Sequence, residues 1–347
     1  MKTFKALLNL LSVALIASTM LMSCSKKSGD GDQASGEKSA EKQTLWVYTS
    51  LYKDTINRLK PMLAQDFPNV EFKWFQAGSE DIATKVNAEI LSGRVQADVM
   101  ISSDRFWYEE LAQSGYLEKY NAPEEIDAQL KNPDGLYSVL SLPVMVLCYN
   151  QDLLKNGHPK SYKDLADPKW KSKVTTGSPL ASGTNFTTMA MLQHHYGWEY
   201  FEGLKNNETI AQGGNSSVLR RIQSGERPVG WVLMENVLRL IDQDKRLKMV
   251  FPSDGSVTHA NVLAIAKKKN NRELAKKFAA WMFGPKGQAE MTRSYMYSPL
   301  PNFEAPKGAP PLAEILKNSF PWTKEFLQSV TEKRVALKEK YTDIMFQ

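Results

Sequence analysis

The chain reads as an α/β protein of two lobes, and three observations predict that class. Short β-rich runs alternate with helical repeats from Thr44 onward, the pattern of a parallel sheet covered by helices. The 347 residues leave room for roughly two domains with ample core. Ser141–Asn150 (Ser-Leu-Pro-Val-Met-Val-Leu-Cys-Tyr-Asn) is a continuous apolar strand, suited to passing through the interior between lobes. With 42% hydrophobic and 24% charged residues, the composition is that of an ordinary globular protein.

Before the first strand come two stretches of different character. Lys2 and Lys5, the apolar run Ala6–Met20 and Leu21-Met22-Ser23-Cys24 predict an export signal, too short and wrongly flanked for a stable membrane span. Leu-x-Ser-Cys resembles a bacterial lipobox, so residues 1–23 are expected to be removed and Cys24 lipidated. Residues 25–43 contain no large apolar side chain and predict, with Cys24, a flexible tether of about 25 Å. The expected location is therefore outside the cytoplasm, anchored in the periplasm or at the cell surface. Once Cys24 carries lipid, Cys148 alone remains and no internal disulfide can form; it sits in an apolar run and reads as an inert core thiol. Of the formal charge of +6, two units belong to Lys2 and Lys5, and the other basic residues are dispersed among acids. Nucleic acid is not an expected partner.

Leu45–Thr49 is the first strand, followed by a helix with Ile56, Leu59 and Leu63 on one face and a kink or reset at Pro61. Val70–Phe75 is the second strand. A helix opened by Ser79 follows, with Ile82, Val86 and Ile90 spaced by four and Gly93 stopping it. The third strand, Ala97–Ile101, runs into Ser102-Ser103-Asp104 and another helix. In parallel sheets ligands sit beyond the carboxyl ends of the strands. Three such ends carry small polar residues here: Thr49-Ser50, Ala77-Gly78-Ser79 and Ser102-Ser103. Each alone is a helix cap; together they predict a polar binding rim.

Past the crossing strand, Ser178–Thr188 (Ser-Pro-Leu-Ala-Ser-Gly-Thr-Asn-Phe-Thr-Thr) ends a loop and starts a helix. Ser182 or Thr184 can cap, and Gly183 allows a tight turn. Free N–H groups beside hydroxyls there suit an anion without any cationic side chain. Gly213-Gly214-Asn215-Ser216-Ser217 is a second polar loop before a helix, able to close over a ligand. No nucleophile–base pair, zinc-spaced histidines or Gly-x-Ser-x-Gly elbow appears, so an enzyme is not expected and no cofactor is implied.

An ordered series of blocks runs through this half. It begins Tyr149-Asn150-Gln151-Asp152-Leu153-Leu154, Pro159-Lys160-Ser161-Tyr162-Lys163-Asp164-Leu165 and Asp167-Pro168-Lys169-Trp170-Lys171. It continues at Gly225–Gly230, Phe251-Pro252-x-x-Gly255, Ala275-Lys276-Lys277-Phe278 and Gly284-Pro285-x-Gly287-Gln288. The series resembles family 1 extracellular solute-binding proteins of ABC importers over about Thr44 to Arg293. Tyr162 stands where that family has Trp, and Ser172 where it has Gly. The resemblance implies a type II periplasmic-binding-protein fold, two α/β lobes joined by two crossing strands with ligand in the cleft, and an ABC permease as partner. The second crossing then falls near Thr258–Ala266, and the helical tail 312–347 packs outside, across the second lobe. The implied organisation is 44–142 with 259–305 as lobe 1 and 143–258 with 306–347 as lobe 2, in a monomer.

The subgroup resembled includes ferric-iron binders together with sugar-phosphate, phosphoglycerate and aminoethylphosphonate binders. Ferric binders share an adjacent Tyr-Tyr pair after the Gly-Glu-x-Pro-Val block, since hard iron wants anionic oxygen. This chain reads Pro228-Val229-Gly230-Trp231-Val232-Leu233-Met234-Glu235-Asn236, with no such pair. The expected ligand is accordingly a small anionic solute, a phosphorylated sugar or similar phosphate ester or phosphonate. Ferric iron or an iron chelate is the alternative. Expected contacts are Ser182, Gly183, Thr184 and Asn185 facing Ser50, Ser79 and Ser102 from the other lobe, with Asn215 and Ser216 closing over the top. Glu235 and His259 are further contact candidates. His194 and His195 fall outside the cleft, and Trp74, Trp107 and Trp231 could stack on a sugar but read more simply as core.

Overall fold

A computed structural model describes residues 42–347. The expected signal peptide, Cys24 and nearly all of the tether lie outside those residues. The first lobe opens with β1 (Gln43–Thr49), α1 (Lys53–Asp66), β2 (Val70–Gln76), α2 (Ser79–Leu91), β3 (Val99–Ser102) and α3 (Arg105–Gln113). β1 lies between β2 and β3 and parallel to both, with Val47 opposite Trp74 and Val99. α1 buries Ile56, Leu59 and Leu63 at helical spacing, as the sequence predicts. It runs unbroken through Pro61, however. Pro61 is on the exposed face, so the carbonyl of Asn57 that loses its helical donor is open to water, which removes much of the cost. Short β4 (Leu117–Glu118) and β5 (Tyr137–Ser141) complete this pass.

At Leu142–Pro143 the chain crosses into β6 (Val144–Asn150), which is buried along nearly its whole length. The second lobe continues through β7 (Val174–Thr176), α4 (Gly183–Tyr196), α5 (Glu199–Asn206), β8 (Ile210–Ala211) and α6 (Asn215–Ser224). β9 (Val229–Leu233), α7 (Met234–Leu238), β10 (Leu247–Val250) and β11 (Val257–Thr258) follow. Gly230 lets β9 lie against β7: a Cβ there would stand 1.9 Å from the Thr175 carbonyl oxygen. The chain returns through His259–Ala260 into β12 (Asn261–Ala266), then α8 (Arg272–Phe283) and α9 (Pro285–Arg293).

The strands form two sheets in the orders β2-β1-β3-β12-β4, with β5 also on β12, and β10-β6-β9-β7-β8, with β11 also on β6. The first is mixed rather than purely parallel. β12 enters from the other lobe and therefore runs antiparallel to β3. The two crossings are neighbours: Thr258 pairs with Val144, Asn261 with Ser141, and between them His259 N donates to the Pro143 carbonyl at 2.8 Å. Val139, Val144, Val146, Val232 and Val262 pack in one apolar cluster along this junction. Cys148 is a free, buried thiol in the same cluster, and burial pushes its pKa well up.

The tail comprises α10 (Leu312–Lys317), α11 (Lys324–Glu332) and α12 (Arg334–Phe346). α12 packs on α5 of the second lobe, but α11 lies on α3 of the first, so the tail spans both lobes rather than the second alone. The reason lies in side chains the helical pattern does not reveal. Phe106 of α3 meets Trp322 and Phe326, and Arg334 bridges Asp104 at 3.0 Å and Glu80 at 3.0 Å.

Candidate ligand-binding site

The carboxyl ends of β1, β2 and β3 and the starts of α4 and α6 meet at a cavity of about 250 Å³ between the sheets. The first lobe contributes Ser50, Gly78, Ser79 and Ser103, which belong to the three predicted strand ends, together with Gln76. The second contributes Ser182, Thr184, Asn215, Ser216 and Glu235. Local sequence explains the geometry. α2 and α6 begin after glycines, Gly78 and Gly214, whose extended backbones offer no capping side chain. Their first N–H groups thus stay available toward the cavity. α4 starts differently: Ser182 Oγ accepts from Asn185 N and bonds Thr184 Oγ1 at 2.9 Å. Asn215 Nδ2 then donates to Thr184 Oγ1 at 2.9 Å, tying the two helix starts together.

The lobes touch across this site. Gly183 N donates to Ser79 Oγ at 2.7 Å, and Tyr52 Oη donates to Asn236 Oδ1 at 2.6 Å. Arg239 pairs with Asp54 at 2.7 Å, its guanidinium 4.1 Å from the centre of the Tyr52 ring. A Cβ at Gly183 would lie 2.8 Å from Asp104 Cβ and from the Ser103 carbonyl oxygen, so this contact requires glycine.

Two buried polar atoms in the lining have no protein partner among the described residues: Glu235 Oε2 and Asn215 Oδ1. Glu235 is 1% exposed, and burial, only partly opposed by Arg239 and a backbone hydrogen bond, pushes its pKa up to about 8. A carboxyl in that state keeps its proton at neutral pH and can donate to an anion. No lysine or arginine belongs to the described lining.

Of the expected contacts, the structure gathers Ser50, Ser79, Ser182, Thr184, Asn215, Ser216 and Glu235 around the cavity. Four others stand outside its lining. Ser102 Oγ bonds Tyr108 Oη inside the first lobe, Gly183 is spent on the lobe contact, and Asn185 Oδ1 accepts from Trp231 Nε1. His259 is buried at the crossing, 3.4 Å from Thr188 Oγ1, and burial lowers its pKa to about 3, so it is neutral. Trp107 and Trp231 are core, and Trp74 packs against it. His194 meets the Phe326 ring edge-on, and His195 packs at a tilt against Phe320. Sequence reasoning missed Gln76, Tyr52 and Asn261. Gln76 was within reach, since it directly precedes the rim segment Ala77-Gly78-Ser79. Tyr52 and Asn261 carry no local signal.

The model of the family described as "Bacterial extracellular solute-binding protein" matches residues 96–326. The chain belongs to that family. The solute-binding protein is 25% identical over 304 residues to Iron uptake protein A1 of Synechocystis, covering 81% of each chain. Among solved structures it superposes on AfuA of Actinobacillus pleuropneumoniae, bound to fructose-6-phosphate, with a TM-score of 0.77. The identity is 22%, covering 88% of this chain and 99% of that one. Iron-bound HitA of Pseudomonas aeruginosa gives 0.75 at 20% identity, covering 86% and 99%. These neighbours establish the fold as that of the periplasmic binding proteins, two α/β lobes around a cleft. By its family the chain is thus a solute-binding protein and not an enzyme. No helix among its described residues is long and apolar enough to cross a membrane.

Proposed function

We propose that the protein clamps a small phosphate ester or phosphonate, with a sugar phosphate as the leading class, and presents it to the membrane permease of its importer. One observation carries the reading. Two helix starts without side-chain caps, α2 and α6, come from opposite lobes to a cavity rich in hydroxyls and free of lysine and arginine. Helix-start N–H groups and hydroxyls bind phosphoryl oxygens by short charge-assisted bonds, and lobe closure brings both sets to one anion. The volume of about 250 Å³ suits a compact solute. Glu235 and Asn215 supply partners for hydroxyl or amino groups on the remainder of the ligand.

Ferric iron is less well served. Tyr52 is the one tyrosine of the described lining; its hydroxyl is engaged with Asn236, and burial raises its pKa, away from the phenolate that iron needs. No group of three or more His, Cys, Asp or Glu suited to a metal occurs among the described residues. We further propose that the mature protein begins at a lipidated Cys24 and is held at a membrane by the segment 25–43.

Thermal melting of ligand-stripped protein against hexose phosphates, glycerol phosphates, phosphonates, the free sugars and ferric citrate tests the proposal. At about 100 times its dissociation constant a true ligand adds about 2.7 kcal/mol, a shift of roughly 5 °C. Stabilisation by phosphorylated compounds and not by their free sugars supports the anion clamp. Stabilisation by iron alone overturns it.

A further inference from the structure

A second cavity, of about 1090 Å³, lies on the first lobe between α3, the loop 120–135 and α11. It shares no residue with the cleft. Arg105, at the start of α3, is 7% exposed and lines it. Its guanidinium carbon sits 5.9 Å from the centre of the Tyr137 ring and 5.6 Å from that of Trp322. Nε makes a long bond to Tyr137 Oη at 3.4 Å, and the two terminal nitrogens bond nothing among the described residues. The nearby Glu109 forms no ion pair with Arg105: its Oε2 accepts from Tyr137 Oη at 2.7 Å.

Asn132 lines the same cavity and is 6% exposed. Its Oδ1 accepts from Asp134 N at 3.0 Å and Leu136 N at 3.4 Å, which fixes the amide so that Nδ2 is the free end. That Nδ2 also has no protein acceptor among the described residues. Guanidinium and amide donors that open unused into one cavity, on residues otherwise largely buried, suit an anionic acceptor. A planar guanidinium fork matches a planar carboxylate, and the aromatic walls of Trp322 and Tyr137 suit a flat apolar body.

We propose that this cavity is a second binding site, for a small aromatic carboxylate, held by Arg105 and Asn132 with its ring against Trp322. The site rests on its own residues and stands whether or not the cleft binds phosphate esters. Trp322 Nε1 donates to the Thr258 carbonyl at 3.0 Å, so the wall of this cavity is tied to the residue that ends β11 at the crossing.

The test is ligand-observed NMR and Trp fluorescence of the mature protein with benzoate and phenylacetate, each beside its neutral amide, and with phenyl phosphate. Two variants accompany the wild type. Arg105→Gln removes the charge. Asn132→Asp keeps the acceptor for Asp134 N and Leu136 N but replaces the free donor with an anion. The expected result is saturable binding of the carboxylates and not of the amides, weakened about tenfold or more in both variants. Thr184→Val, in the cleft, leaves that binding unchanged. Equal binding of acids and amides, binding untouched by both variants, preference for phenyl phosphate, or no binding of either carboxylate overturns the proposal.

Discussion

Thr184 is the residue on which the second lobe's half of the cleft converges. It is 3% exposed, and its Oγ1 bonds both Ser182 and Asn215, so Thr184→Val keeps the shape and removes the junction. On the proposed reading Thr184 also bonds the phosphate, and losing one such bond to a charged group costs about 1.5–3 kcal/mol, so titration calorimetry is expected to show affinity for the proposed phosphate ester falling roughly 10- to 100-fold. Glu235 gives a pH signature. The folded protein holds this proton up to about pH 8, while the unfolded chain releases it near the ordinary carboxyl value. The native state therefore binds more protons, and stability falls as pH rises from roughly 4.5 to 8. Melting curves across that range are expected to flatten in Glu235→Gln; an unaltered profile would show that Glu235 ionises normally. Thr184 and Glu235 were legible in sequence, one from a capping pattern and one from family resemblance. Which neighbour of a capping residue faces the cavity was not: Asn185, one position on, turns inward to Trp231.

At the scale of elements, the alternation of strands and helices was readable because its cause is local: burial of one helix face and polar residues at strand ends. The continuity of α1 through Pro61 was not, because it depends on which face of the helix meets water. The close approach of α4 to the α2 and α3 starts likewise appears only in three dimensions. Gly183→Ala places a methyl against Asp104 Cβ and the Ser103 carbonyl, both at 2.8 Å. Closure is expected to suffer while each lobe stays folded. The unliganded melting temperature changes little, ligand affinity drops at least about tenfold, and small-angle scattering with ligand retains a larger radius than wild type. Unimpaired affinity would mean that the lobes bind without this contact.

The whole molecule is held by more than its two crossing strands. Arg334 carries the tail's charge to Asp104, whose side chain is fully buried, and to Glu80. Arg334→Leu leaves Asp104 charged and without its cation, a defect of about 3–5 kcal/mol, and calorimetry is expected to show a melting temperature lower by several degrees. A neutral result would mean that Lys338, which pairs with Glu80 at 2.6 Å, takes over. Nothing in the tail's sequence distinguishes a clasp over both lobes from a cap on one, since Trp322, Phe326 and Arg334 each look like ordinary helix or loop residues until α3 is beside them. The placement of β12 bears on how the protein is made. Val262 pairs with Ser102 and Asn261 with Ser141, so a middle strand of the first sheet leaves the ribosome only after the whole second sheet. Until then β3 presents an unsatisfied edge, whereas every strand of the second sheet lies within the one stretch 144–258. Synthesis order and spatial order are thus opposed: the sheet begun first is the sheet completed last, and its exposed edge is what a chaperone would have to shield.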